Sequence, residues 1–539
     1  MRWRSPAVAF LLLSSPAALA QVELPRLTEV VEVRVTNIDV VVTDERGARV
    51  HGLTKDDFEL YDNGVRQEIT NFSEILAAPV GEREAAAAPA PAPQPVAGDL
   101  PPRHIVIFFD NVSTSTHERK RVAEALTALF RDLRPVDDAT IVSWNRSIRI
   151  VVPPTSDRAA LEAGLTKAAR ELSPRGPAPT MFTPLGREIG PMQGRAAAER
   201  TAFARRRIRE AVADQIGSVE GLNSILSRLA GLDGRKALIL ISTGFSFRPG
   251  LENAPAGEEE MLMHMEDVGG PDILKSLTTT ANAAGIPIYS IHAGGLQSGI
   301  SVFDDSPDQA MVRIRSSGRS VDGMSWLSAR TGGLAAANMA GFTKAVARIA
   351  EDLSSYYSIG YRSSVVRNDQ EREIKVVAKN RKHTVRARRT AVARSFESEL
   401  TNRVIASLLF QPRETNQLGI SAKVVRTDRK KRNRLSMPVD VMIPMSGLTF
   451  SSDDKGLAAD VSIFIASADK SGSISTVEQF RQRIPVTREQ LPTLGKMHYT
   501  YGLMVDLKTA SAENRLAIAV MDNIARTTGL TTVEVSAPK

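Results

Sequence analysis

The sequence predicts an α/β body built on a central, mostly parallel sheet and flanked by β-sandwich modules. Three observations carry this. Ile105–Phe109 is an unbroken apolar run, the pattern of a strand covered on both faces. It ends in Asp110-Asn-Val-Ser-Thr-Ser115 and runs into Thr116–Phe130, where Val122, Leu126, Leu129 and Phe130 share one helical face. Strand, acid, hydroxyls and helix in that order place oxygen atoms at the carboxyl end of a parallel strand, where open α/β sheets hold ligands. On both sides of this centre lie short β-rich runs separated by turn residues, the mark of sandwiches.

Taken in order, the chain opens with the features of a secretory signal over residues 1–20. Arg2 and Arg4 supply positive charge, Ala7–Leu13 a short apolar core, and Ala18-Leu-Ala20 a small-x-small cleavage site before Gln21. The apolar stretch is well short of the ~20 residues that cross a bilayer. Residues 27–76 alternate strand and turn signals: Val31–Thr36, Ile38–Val42, a turn at Asp44–Gly47 and a hairpin turn at Asp62-Asn-Gly64. This is half of a sandwich, and half a sandwich buries little apolar surface. Its partner strands are expected at Tyr356–Tyr361, Glu373–Ala378 and Thr384–Ala387, so that residues 355–390 complete a module into which the α/β body is inserted.

Residues 77–102 are rich in alanine and proline and read as an extended linker. The α/β body covers 103–354. Thr140–Trp144 and Ser147–Val152 read as its second and third strands, and Asp157–Leu172 as a helix. Ala196–Leu229 reads as a long helical segment with a break at Gly217. Ser173–Gly194 and Phe247–Gly270 read as long loops beside the Asp110 cluster, and loops of that length in a compact domain tend to be functional. Residues 395–539 open with a helix, Ser395–Leu409. Strand-like runs follow at Gly419–Val425, Leu435–Ile443, Ala459–Ala466, Tyr499–Val505 and Arg515–Val520, a second sandwich.

The formal charge of +8 is small for 539 residues and by itself does not point to nucleic acid. There is no cysteine. That excludes disulfides, thiolate catalysis, cysteine zinc sites and iron–sulfur clusters, and leaves an exported chain to its cores alone. No Gly-x-Ser-x-Gly elbow, His-Glu-x-x-His motif or phosphate-binding glycine loop occurs.

The segment Arg103–Ser115 resembles the von Willebrand factor A domain. The resemblance continues in Gly234–Gly244, similar to that fold's central strand, and in Ile286–His292, similar to its next strand. It extends through Trp326–Leu334, with its Thr-Gly-Gly, to Phe342–Leu353, similar to its last helix. Val40–Leu60 and Tyr356-Tyr-Ser-Ile-Gly-Tyr361 resemble the von Willebrand factor A-related proteins abundant in Acidobacteria. The resemblance implies a Rossmann-like fold and a metal-ion-dependent adhesion site, in which an Asp-x-Ser-x-Ser motif, a threonine and a second aspartate hold Mg²⁺ or Mn²⁺. Here the motif is Asp110, Ser113 and Ser115, one residue longer than the pattern. Thr243 stands where the second aspartate belongs, and Thr180 and Thr183 are the candidates for the threonine. Two readings stay open: a degenerate metal site at Asp110, Ser113 and Ser115, or Asp110 as the cap of the following helix with the hydroxyls satisfying its free N–H groups.

Other groups have two readings as well. Met261-Leu-Met-His-Met265 offers soft ligands for Cu(I) or adaptable packing. Arg429–Arg434 is an acidic-polymer contact or a solvated hairpin turn. His292, at the end of a strand, is a catalytic group or a satisfied edge histidine. The function expected from all this is an exported, periplasmic or extracellular, non-catalytic binding protein of adhesion type. Its carboxyl edge would meet a protein or an envelope polymer, with no nucleic acid and no transmembrane segment. The alternatives are an envelope hydrolase and a self-assembling structural component of the envelope.

Overall fold

The computed structural model describes residues 35–76, 100–172, 195–249, 270–294, 320–336, 341–362, 369–408, 410, 416–431, 434–453, 456–469, 474–508 and 513–536. They form two compact units, residues 35–395 and 396–536. The architecture is mixed α/β: one six-stranded, mostly parallel sheet and several antiparallel ones.

The first unit begins with β1 (Val35–Thr43), β2 (Phe58–Asp62), β3 (Val65–Gln67) and β4 (Ile69–Leu76). The parallel sheet follows: β5 (Arg103–Asp110), β6 (Asp138–Trp144), β7 (Ile148–Thr155), β8 (Arg235–Ser242), β9 (Ile288–His292) and β10 (Ala335–Ala336). Its order is β10-β9-β8-β5-β6-β7, parallel throughout except at the edge strand β7. The apolar run in β5 is explained by helices on both faces. Ile105, Ile107 and Phe109 face a core with Val122, Leu126, Leu161, Leu165, Val346 and Ile349 from the helices Thr116–Leu126, Arg158–Arg170 and Phe342–Ser354. Val106 and Phe108, on the other side, are equally buried.

The helix Arg195–Leu229 runs unbroken through Gly217, contrary to the expected interruption. Gly217 is there for packing. A Cβ at Gly217 would lie 3.1 Å from the Trp144 ring and one at Gly221 3.0 Å from it, so the two glycines, one turn apart, make the seat of the indole. Gly332 (φ 80°) and Gly333 end the helix Ser320–Thr331. A Cβ at Gly333 would stand 2.0 Å from the carbonyl oxygen of Ile288, so only glycine lets the chain pass over β9 here.

The last helix of the body, Phe342–Ser354, continues without a break into β11 (Ser355–Arg362), followed by β12 (Glu371–Ala378), β13 (Thr384–Ala387) and β14 (Thr390–Val392). These strands pair with those before the body, giving antiparallel sheets β13-β1-β11-β4 and β14-β12-β2-β3. Ile38 lies opposite Ile359, and Leu60 opposite Val376. Ile38, Val40, Phe58, Leu60, Tyr357, Ile359, Tyr361 and Ile374 form the joint core.

Charged groups fasten this module to the body. Asp352, fully buried in the last turn of its helix, accepts from Arg386 of β13 (2.8 and 2.9 Å) and from Arg49. Arg235, at the start of β8, donates to the Asp352 carbonyl (2.9 Å) and lies 3.4 Å over the ring of Tyr356.

The second unit starts with the helix Phe396–Ser407 and continues with β15 (Ser421–Val424), β16 (Asp428–Lys431), β17 (Arg434–Pro444), β18 (Ser451–Asp453), β19 (Gly456–Asp469), β20 (Glu478–Pro485), β21 (His498–Lys508), β22 (Glu513–Asp522) and β23 (Thr528–Ser536). Val439 and Val441 of β17, Leu503 and Val505 of β21, and Val461, Ile463 and Ile465 of β19 meet in one core between two sheets. The opposite side of β19, through Phe464, Ala466 and Ala468, packs on Leu400 and Val404 of the helix. A sheet covered on both faces reads as continuous apolar sequence, as Ile463–Ala466 of β19 does.

Candidate functional site

The carboxyl ends of β5, β8 and β9 bring Asp110, Ser242 and His292 into one layer, because Asp110 closes β5 and Ser242 is registered with His292. Asp110 is 2% exposed. Its Oδ2 accepts from the hydroxyls of Ser113 and Ser242, both at 2.8 Å. Its Oδ1 accepts from the backbone N–H groups of Val112 (3.2 Å) and Ser113 (3.3 Å). Burial pushes the Asp110 carboxyl above its ordinary range, against the pull of the Ser113 and Ser242 hydroxyls.

The hydroxyls are engaged in turn. Thr243 N–H donates to Ser113 Oγ (3.2 Å) and Gly244 N–H to Ser242 Oγ (3.0 Å). Thr243 Oγ1, where the resemblance led us to expect an aspartate, donates to the carbonyl of Ser113 (2.5 Å) and so ties the two loops together. Ser115 serves a different purpose. Its Oγ accepts from Glu118 N–H (3.3 Å), and the Glu118 carboxylate accepts from Ser115 N–H (2.7 Å), a capping box at the start of Thr116–Leu126. Asp110 is therefore not the cap of this helix; Ser115 is. The five-residue step from Asp110 to Ser115 leaves the aspartate inside the preceding loop, where the N–H groups it reaches are those of Val112 and Ser113.

Behind the loop lies Arg119, fully buried. Its guanidinium donates to Thr114 O (2.5 Å), Thr114 Oγ1 (3.1 Å), Thr116 Oγ1 (3.2 Å), Glu171 O (2.5 Å) and Ala169 O (3.3 Å). Burial lowers its pKa, and the negative charges of Asp110, Glu171 and Glu118 oppose that effect. Neither Arg119 nor Glu118 was singled out as a site residue in the sequence, yet both left a signal. Ser115-Thr-His-Glu118 is a capping-box pattern, and Arg119 falls on the apolar face that carries Val122 and Leu126.

This donor set does not suit a dication. Each oxygen of Asp110 already has two donors, the Ser115 hydroxyl is spent on the helix end, and Thr243 supplies no charge. Among the described residues no group of three or more His, Asp or Glu side chains is arranged to hold a metal.

His292 is buried beside Gly294, whose Cβ, if present, would lie 2.8 Å from His292 Cε1 and 3.6 Å from Glu118 Oε1. Thr180, Thr183 and the Met261–Met265 cluster lie outside the described residues, as do most of the two long loops. The basic run is a hairpin: Lys431 pairs with Arg434 between β16 and β17, and residues 432–433 lie outside the described residues.

The helix Arg195–Leu229 crosses this edge. Arg146, in the turn between β6 and β7, pairs with Asp214 (2.9 Å), and Gln215 exchanges two hydrogen bonds of 2.9 Å with the backbone of Ser246 just past β8. Residues Arg195–Ala213 precede that contact. At ~1.5 Å per residue they add about 28 Å of helix on the N-terminal side of that contact, and Ala204 and Ile208 within them are fully buried.

No family model matches the chain, and no curated protein matches it significantly. Among solved structures it is similar to a von Willebrand factor type A protein from Catenulispora acidiphila, at 10% identity and a TM-score of 0.21 over 81% of this chain and 66% of the other. It is also similar to the pilus adhesin SpaC from Lactobacillus rhamnosus GG, at 10% identity and a TM-score of 0.25 over 81% of this chain and 54% of the adhesin. A third is the conserved hypothetical protein BatB from Bacteroides thetaiotaomicron, at 13% identity and a TM-score of 0.25 over 47% of this chain and 97% of the other. Likenesses of this size carry no argument, and the fold described above rests on the strand order itself. Among the described residues no helix is long and apolar enough to cross a membrane.

Proposed function

We propose that the chain is an exported, non-catalytic binding protein of the von Willebrand factor A type, whose carboxyl edge meets a protein or cell-envelope partner. The observation that carries this reading is an exposed stripe on the helix Arg195–Leu229. Ala202, Arg206, Arg209, Ala213 and Ile216 are all exposed, and their spacing of four and three residues places them in one narrow stripe along its length. Phe203, 49% exposed, flanks the stripe, while Ala204 and Ile208 on the other side are fully buried. A stripe of small and apolar residues interrupted by two arginines suits an interface better than bulk water. It stands beside an edge whose polar groups are held in place by their own hydrogen bonds, a preformed surface for recognition.

The reading is tested by capturing envelope material from the source organism on immobilised full-length protein. Arg209→Glu with Ala213→Glu is expected to reduce the captured partner at least tenfold while the thermal midpoint stays within a few degrees. Equal capture by the double variant, or substrate turnover by the purified protein, sinks the proposal.

A further inference from the structure

We propose that Arg119 is the built-in counter-ion of the Asp110 edge, so that this edge holds no divalent cation and engages its partner without one. The partner half of this statement rests on the binding function proposed above; the metal half does not.

Asp110 is the one carboxylate in the cluster of Asp110, Ser113, Ser242 and Thr243, and Arg119 is a full cation behind the same loop. All five acceptors of the guanidinium are neutral oxygens, three of them backbone carbonyls, so hydrogen bonding fixes Arg119 without neutralising it. The balancing charge comes through space from Asp110 and from Glu171 and Glu118. Arginine stays protonated across the accessible pH range. A dication placed on Asp110 would meet one carboxylate and one buried cation, a poor exchange for its hydration shell.

Thr114 is buried and bridges the main chain of Asp110 to the Arg119 guanidinium. Its hydroxyl donates to the Asp110 carbonyl (2.5 Å) and accepts from Arg119 Nη1 (3.1 Å). Arg119 also holds the end of the helix Arg158–Arg170 through Ala169 O and Glu171 O. The Asp110 loop is thereby shaped by a guanidinium from within, the task that a metal ion performs from outside in a metal-dependent site.

The test uses the full-length protein. Calorimetric titration with Mg²⁺ and with Mn²⁺ alone is expected to show no saturable binding below millimolar concentration, and capture of the envelope partner is expected to be the same in EDTA. Micromolar binding of either ion that disappears in Asp110→Asn overturns the proposal. So does loss of capture in EDTA that is restored by Mg²⁺. Absence of any captured partner bears on the proposed function and leaves the metal titration to decide this one.

A double-mutant cycle tests the pairing itself. Asp110→Asn leaves Arg119 without one of its balancing charges, and Arg119→Met leaves Asp110 without the cation behind its loop. The pair Asp110→Asn/Arg119→Met is expected to be more stable than the sum of the single losses predicts. Additive losses overturn the pairing. Should Arg119→Met fail to fold, recovery of a folded protein in the double variant supports the proposal, and failure of both is read through Asp110→Asn alone. That variant is expected to melt at least 5 °C below wild type, and a midpoint equal to wild type overturns the counter-ion role.

Discussion

Arg386 donates to both oxygens of Asp352, which joins the last turn of the α/β body's final helix to a strand of the β-module. The contact is buried, and Arg49 reaches the same carboxylate. Removing the shared acid strands two cations in a poorly solvated place, which typically costs about 3 kcal/mol or more. Asp352→Leu is therefore expected to split the unfolding of residues 35–395 into two transitions in urea, with the β-module lost first. A single transition at the wild-type midpoint would show that Asp352 is not the fastener.

Gly323 lies inside a helix, where alanine would ordinarily be favoured by roughly 1 kcal/mol. A Cβ there would stand 1.9 Å from the carbonyl oxygen of Phe245, a backbone atom with no rotamer to escape into. Gly323→Ala is expected to destabilise by about 2 kcal/mol or more in spite of the propensity gain. A thermal midpoint at or above that of wild type would refute the close approach.

The capping box at Ser115 sets a smaller and equally definite expectation. Ser115→Ala should cost about 1 kcal/mol, the usual loss for an N-cap hydroxyl. Ser115→Asp should recover most of it, because the carboxylate accepts from the same N–H group. If alanine is neutral, the hydroxyl has some other use.

Acid stability should report on Asp137. Burial alone would raise its pKa, but hydrogen bonds from Arg134 and Arg103 hold it at about 2. The folded value is thus below the unfolded value of about 3.9. Its stabilisation is fully present above pH ~4 and is lost as the pH falls toward 2, a change of roughly 2 kcal/mol. Asp137→Asn should be less stable at pH 7 and should lack this part of the acid loss. Wild-type and variant urea midpoints that run parallel from pH 7 to pH 2 would contradict it.

The parts of the fold legible in the sequence are those where one physical signal dominates. Ile105–Phe109 is a strand buried on both faces, and no polar residue competes with that reading. The pairing of β1 with β11 follows from the same logic, since Ile38 and Val40 need a core that residues 27–76 do not contain. β20 went unrecognised because Glu478-Gln-Phe-Arg-Gln-Arg483 is an edge strand paired only with β19, and most of its side chains meet water. Gly217 misled for the opposite reason: glycine signals a break when read locally, and only the Trp144 ring shows what it is for. At the site, family spacing drew attention to Ser115 as a ligand, while Ser115-x-x-Glu118 already described a helix start. Arg119 carried the plainest clue, a charge on an apolar face, but two of its five acceptors are backbone oxygens at the end of a different helix, which sequence does not reveal.

The register of β4 against β11 has a consequence for how such a chain can be cut and rebuilt. Leu76, where the chain leaves the β-module, is the direct strand partner of Ser355, where it returns. The whole α/β body therefore enters and exits through neighbouring positions of one ladder, like a cassette held between two contacts of a socket. A tight two-residue turn in its place would convert β4 and β11 into an ordinary hairpin. Recombination between relatives can then exchange one body for another without disturbing a single rung of the receiving sheet, provided that the newcomer ends in a helix able to run straight into Ser355.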